Sequence, residues 1–153
     1  MSKKAYEGIG MSPDKSKELI SIFPDIFSEP SSRSCMALYG FECGDGWFSL
    51  LKELISEIKA ICVDNPGITV RVVQVKQKFG ALRFYYDFML EDGFGFEENA
   101  NIDLEIDDAI ERAENRSREE CEECGKPSTI TTNGHWLSNR CNQCCQTNDK
   151  QII

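Results

Sequence analysis

Apolar residues recur at spacings of three and four through GDGWFSLLKELISEIKAICVDNPG. Leu50, Leu51, Leu54, Ile55, Ile58, Ile61 and Cys62 form one stripe, and Lys52, Glu53, Glu57 and Lys59 fill the opposite side. This period predicts an amphipathic helix, capped by Asp45 and ended by the turn Asn65-Pro66-Gly67. The next stretch, ITVRVVQVKQKFGALRFYYDF, changes to a period of two. Val70, Val72 and Gln74 fall on one face, with Arg71, Val73 and Val75 on the other. Leu82, Phe84, Tyr86 and Phe88 then alternate with Arg83, Tyr85 and Asp87. Branched and aromatic residues in alternation, joined by a short connection near 77–80, predict an antiparallel hairpin.

Two further helices are expected. Ser12-Pro13 followed by DKSKELISIF offers a cap and a proline at the first helical position; the helix should end near Phe23, because Pro24 disfavours helix in the residue before it. Residues 29–34 and 91–101 read as loops. A second acidic helix is expected from about Asp103, with Ile106, Ala109, Ile110 and Ala113 as its apolar stripe and arginines in its later turns. Helices laid over a small antiparallel hairpin define an α+β class.

The segment CEECGKPSTITTNGHWLSNRCNQCC changes the picture. Cys121 and Cys124 form one C-x2-C pair and Cys141 and Cys144 a second, and TITTNGHWL between them can turn at Asn133-Gly134. Two thiolates three positions apart can share one ion, and four soft thiolates in a tetrahedron suit Zn2+. An iron–sulfur centre takes the same four ligands. Cys145 competes with Cys144 for the fourth position, and His135 could replace one sulfur. Four protein ligands close the shell, so the zinc is expected to be structural. The chain divides on this reading into a core at 1–118 and a zinc ribbon or knuckle at 119–153.

Charge adds one feature. Of the 26 acidic residues behind the net charge of −9, 14 lie in residues 91–123, which hold only 3 basic ones. Asp107, Asp108, Glu111 and Glu114 form a candidate docking face for a basic partner. The hairpin offers the opposite sign: Arg71, Lys76, Lys78 and Arg83 interleave with Phe79 and Tyr85, a pattern compatible with single-stranded nucleic acid. Trp47 beside Phe79, Arg83 and Tyr85 suggests a third use, a pocket for a nucleotide or other small ligand. The single histidine lies inside the cysteine segment, so a general base is hard to place and no catalytic residue is assigned. No run approaches the roughly 18 apolar residues of a membrane helix, and the N-terminal stretch lacks a signal peptide's apolar core, so a cytoplasmic protein is expected.

GDGWF (44–48), VKQKFGALRFYY (75–86) and CEECGKPS (121–128), followed by a tryptophan and CNQC (141–144), resemble a widespread family of small uncharacterised proteins of phages, prophages and bacteria. The resemblance implies an accessory protein in a bacterial host cytoplasm and no established activity. The expected function is non-enzymatic: a zinc-binding protein that acts on a host or phage protein, with inhibition of a nucleic-acid-handling or defence protein as its specific form. Nucleic-acid binding through the hairpin 70–86 is the alternative.

Overall fold

The computed structural model describes residues 10–27, 34–90 and 96–149. The expected loop at 29–34 lies outside them except for Ser34, as do residues 91–95 of the loop expected at 91–101; residues 96–101 are helical, not loop. Helix α1 (Pro13–Ile22) starts on Pro13 and ends before Phe23, and a 3₁₀ turn (Pro24–Phe27) follows. A short helix α2 (Cys35–Tyr39) has Ser34 as its cap, the side chain accepting the Ala37 N–H at 3.0 Å. It leads into a two-residue strand β1 (Phe41–Glu42). Both α2 and β1 are too short to leave a periodic signal in the sequence.

Helix α3 (Phe48–Asp64) buries Leu50, Leu51, Leu54, Ile55, Ile58 and Cys62, each of the larger side chains contributing roughly 1.5–3 kcal/mol. Asp45 does not cap it. A 3₁₀ turn (Asp45–Trp47) precedes α3, and the Asp45 carboxylate instead accepts the Ser12 N–H at 2.8 Å, joining the starts of α1 and α3. Helix α4 (Phe96–Ser117) begins seven residues earlier than its apolar stripe suggests. Ile106, Ala109, Ile110 and Ala113 face the core, and small Ala109 and Ala113 meet Leu50 and Leu54 of α3 across a shallow groove.

Strands β2 (Ile68–Lys78) and β3 (Ala81–Leu90) form the expected antiparallel hairpin, and β1 adds to β2 in parallel, giving the order β1-β2-β3. The facing of β2 differs from strict alternation. Val72 pairs with Tyr86 and Gln74 with Tyr85, so Val73 is an extra residue, a β-bulge. Beyond it the faces exchange: Val75 is buried with Val70 and Val72, while Gln74 and Lys76 no longer share their face. An unbroken strand would have placed Lys76 and Lys78 in the core with Val72. The bulge removes that cost.

Strand β3 is an edge, and α4 covers it. Ser117, fully buried, accepts the Leu82 N–H at 2.9 Å, and the Glu114 carboxylate takes the Phe84 N–H. Farther along, the Tyr86 hydroxyl lies within hydrogen-bond reach of Asp103 and Asp107. Backbone groups left open along an edge invite pairing with other chains, and here side chains of α4 occupy them. Ser117→Ala should leave the buried Leu82 N–H unsatisfied and cost about 1–3 kcal/mol, read as a lower denaturation midpoint with an unchanged slope.

Candidate metal centre

Past α4 the backbone turns tightly. Cys121 N–H donates to the Lys126 carbonyl (2.7 Å) and Gly125 N–H to the Cys121 carbonyl (2.9 Å), closing a loop in which Gly125 takes φ 80°. The chain returns through β4 (Ile130–Asn133) and β5 (Trp136–Asn139), paired antiparallel around Gly134-His135. Asn133 therefore belongs to the last strand pair and not to the turn itself. The second cysteine pair follows at the start of a helix, α5 (Asn142–Asp149).

These elements bring Cys121, Cys124, Cys141 and Cys144 together, with all four sulfurs within 4.8 Å of one another and Cys124 and Cys141 at 3.6 Å. Sulfurs about 2.3 Å from a tetrahedral ion sit roughly 3.8 Å apart, so the donor set and its spacing fit a metal ion. All four cysteines are free thiols. Two backbone groups already point at the sulfurs: Lys126 N–H at Cys124 and Cys144 N–H at Cys141. The Cys144 N–H, helped by the neighbouring thiols, holds Cys141 down at about 7, so one sulfur is ready to ionise near neutrality. Cys145 is oriented elsewhere: its Sγ lies 3.7 Å from the Arg140 carbonyl. His135 is exposed in the hairpin turn.

The acids around the centre have local partners. Glu120 binds Arg116 at 2.7 Å and Glu123 binds Arg140 at 3.2 Å. Glu122 is buried, and burial pushes its carboxyl above the ordinary range against the opposing pull of Arg140 and a hydrogen bond from Gln77.

The cysteine loop is pressed onto the GDGW turn. Gly46 N–H donates to the Glu122 carbonyl at 2.8 Å, and the indole N–H of Trp47 donates to the Glu120 carbonyl at 3.0 Å. A Cβ on Gly46 would overlap the Cys121 carbonyl, and one on Gly44 the Glu122 carbonyl. The glycines of GDGW thus admit a neighbouring backbone; no sequence signal announced that. Asn139, also buried, donates to the Ser117 carbonyl at 2.6 Å, while its own carbonyl accepts the Glu122 N–H at 2.8 Å.

The other candidate residues separate. Trp47 is 0% exposed, so the expected ligand pocket of Trp47, Phe79, Arg83 and Tyr85 does not form: the indole is core, sealed by the cysteine loop. Arg71 pairs with Asp87 at 3.1 Å and Arg83 with Glu114 at 3.5 Å. Lys76 lies over the Tyr85 ring and Lys78 over the Phe79 ring. On α4, Glu114 is half-buried by its contacts with β3, while Asp107, Asp108 and Glu111 are exposed, Asp107 accepting the Tyr86 hydroxyl.

Fold and centre together define an α+β protein with a C-terminal four-cysteine cluster able to hold a metal ion. Comparison with protein-family models, curated proteins and solved structures finds no match to the chain. No helix among the described residues is long and apolar enough to cross a membrane.

Two outcomes follow from this packing. Gly46→Ala should cost about 3 kcal/mol and lower the thermal midpoint by several degrees, whereas Gly134→Ala, with open space around it, should cost only about 1 kcal/mol for its positive φ. Glu122 has the reverse sign to a salt-bridged acid: its raised pKa favours the fold at low pH and opposes it as pH climbs past the unfolded value. Glu122→Gln should therefore raise the melting temperature, with a gain that grows as pH rises above the ordinary glutamate range.

Proposed function

We propose that the protein holds one structural zinc ion at Cys121, Cys124, Cys141 and Cys144 and works by binding a partner. The observation that carries this is the convergence of four thiols from two loops, both tied to the rest of the chain by backbone hydrogen bonds. Four thiolates fill a tetrahedral shell, and an ion so held stabilises the loops that carry it. The loop it closes is also the one that covers Trp47, so metal binding supports the main core as well as the ribbon.

The partner-binding surface we assign is the outward side of the β2–β3 hairpin around Lys76, Lys78, Phe79 and Tyr85. A docking face on α4 has less support, because Glu114 is half-buried and paired with Arg83, and Asp107, though exposed, accepts the Tyr86 hydroxyl. The resemblance to phage and prophage proteins favours an accessory role in a bacterial cytoplasm, with interference in a host nucleic-acid-handling or defence process as its form.

Native mass spectrometry of the freshly purified chain should show one zinc ion per protein. Cys144→Ser should lose it or bind it at least tenfold more weakly, and Cys145→Ser should keep it. A folded, metal-free chain would overturn the assignment, and so would metal loss in Cys145→Ser alone.

A further inference from the structure

Phe79 is placed where a phenylalanine is hard to explain. It is the first of the two residues joining β2 to β3, and it and Gly80 both have positive φ, 56° and 82°, as a type I′ turn requires. Asn, Asp or Gly suits that first position; a bulky side chain there carries strain on the order of 1 kcal/mol. Burial does not offset it, since Phe79 is 61% exposed. Its neighbour Gly80 is fixed by packing: a Cβ there would press on Ile130 of β4. The tip thus packs against β4 on one side while the Phe79 ring is exposed on the other.

The ring is one of a row. Lys78 lies 5.4 Å from the Phe79 ring centre, and Lys76 lies 6.0 Å from that of Tyr85, which is 43% exposed. Neither lysine makes a salt bridge among the described residues, unlike Arg71 and Arg83. Tyr85 pairs with Gln74, five residues before the tip, so the two rings stand about 15 Å apart along the hairpin with the lysines between them. Grooves among the described residues lie between α3 and α4, along the exposed side of α3 and beside the second cysteine pair.

We propose that this row binds single-stranded nucleic acid, with bases stacked on Phe79 and Tyr85 and backbone phosphates at Lys76 and Lys78. The inference rests on the assignment of the hairpin as the partner surface and names the partner's class. Exposed rings without a pocket offer a flat platform that accepts any base, and a ring with a cation beside it serves both parts of a nucleotide. A duplex keeps its bases stacked on each other and out of reach, so the unpaired strand is the form recognised. Residues 91–123 hold 14 acidic and 3 basic residues, which disfavours an anionic strand along that segment.

The test uses the full zinc-loaded chain and fluorescence anisotropy with labelled oligothymidylate, oligouridylate and a mixed-sequence duplex, at about 50 and 200 mM salt. Single strands should bind more tightly than the duplex, and less tightly at the higher salt. Phe79→Asn places a favoured residue in the turn, so its melting temperature should equal or exceed that of the parent while affinity falls about tenfold or more. Lys78→Gln should reduce the salt slope by about one. No binding to either strand, or binding that Phe79→Asn leaves unchanged, overturns the proposal. Preference for polyglutamate, lost in the same variants, overturns the nucleic-acid class and leaves the hairpin standing as a surface for an acidic protein. A drop in the melting temperature of Phe79→Asn makes Phe79 structural and overturns the surface assignment as well.

Discussion

Two stretches of backbone, more than seventy residues apart, touch with no side chain between them. The Gly44–Trp47 turn lies directly against the carbonyls of Glu120, Cys121 and Glu122, and most of the remaining structure is arranged to permit that contact. Glycine is required at 44 and 46 because any Cβ would enter the opposing chain. The indole N–H of buried Trp47 would be costly if unpaired, and the carbonyl of Glu120, at the start of the cysteine loop, supplies its acceptor. The loop in turn keeps that carbonyl in place because its own ends are tied by the Cys121–Lys126 hydrogen bond and, on our reading, by a metal ion. Ribbon and core therefore share one network, in which each covers polar groups the other leaves open.

The same economy governs the sheet. A three-stranded sheet with a two-residue first strand has little pairing of its own, and its outer strand would be open along its length. The bulge at Val73 sets three valines of β2 inward against an unbroken inward row on β3. Ser117 and Glu114 then occupy edge groups of β3, and Ser117 passes the connection on, through its carbonyl, to Asn139 of the ribbon. One turn of α4 thus closes the sheet edge and anchors the cysteine module.

Local periodicity carries the large elements and none of these joints. The stripe of α3, the alternation of β3 and the doubled C-x2-C are each written within one continuous segment, so the helix, the hairpin and the cysteine cluster could be read directly. The bulge could not be read from alternation taken strictly, although the spacing Val70, Val72, Val75 contains it: a switch from two to three is what an inserted residue leaves behind. Asp45 was misread because a local rule, acid before helix, competes with a distant partner, the Ser12 N–H. Trp47 looked like a ligand-binding ring for the same reason, since nothing near it in sequence reveals the loop that buries it. Helix α5 and strand β1 were hidden by their brevity and polarity.

The acidic segment shows how charge counts mislead when they are separated from geometry. Fourteen acids between residues 91 and 123 suggest a surface made to attract a basic partner. Many of them have intramolecular work: Asp103 and Asp107 at Tyr86, Glu114 at Arg83 and the Phe84 N–H, Glu120 at Arg116, Glu122 at Gln77 and Glu123 at Arg140. Exposed pairs of this kind add little stability each. Their stronger effect is on placement. They hold Arg83 and the outer strand against α4, while Lys76 and Lys78 make no salt bridge among the described residues and lie beside the rings of Tyr85 and Phe79. The sequence concentrates negative charge in one segment, and the fold turns part of it inward, Glu114 to Arg83 and Asp103 and Asp107 to Tyr86, while Lys78 and Phe79 stay exposed at the hairpin tip.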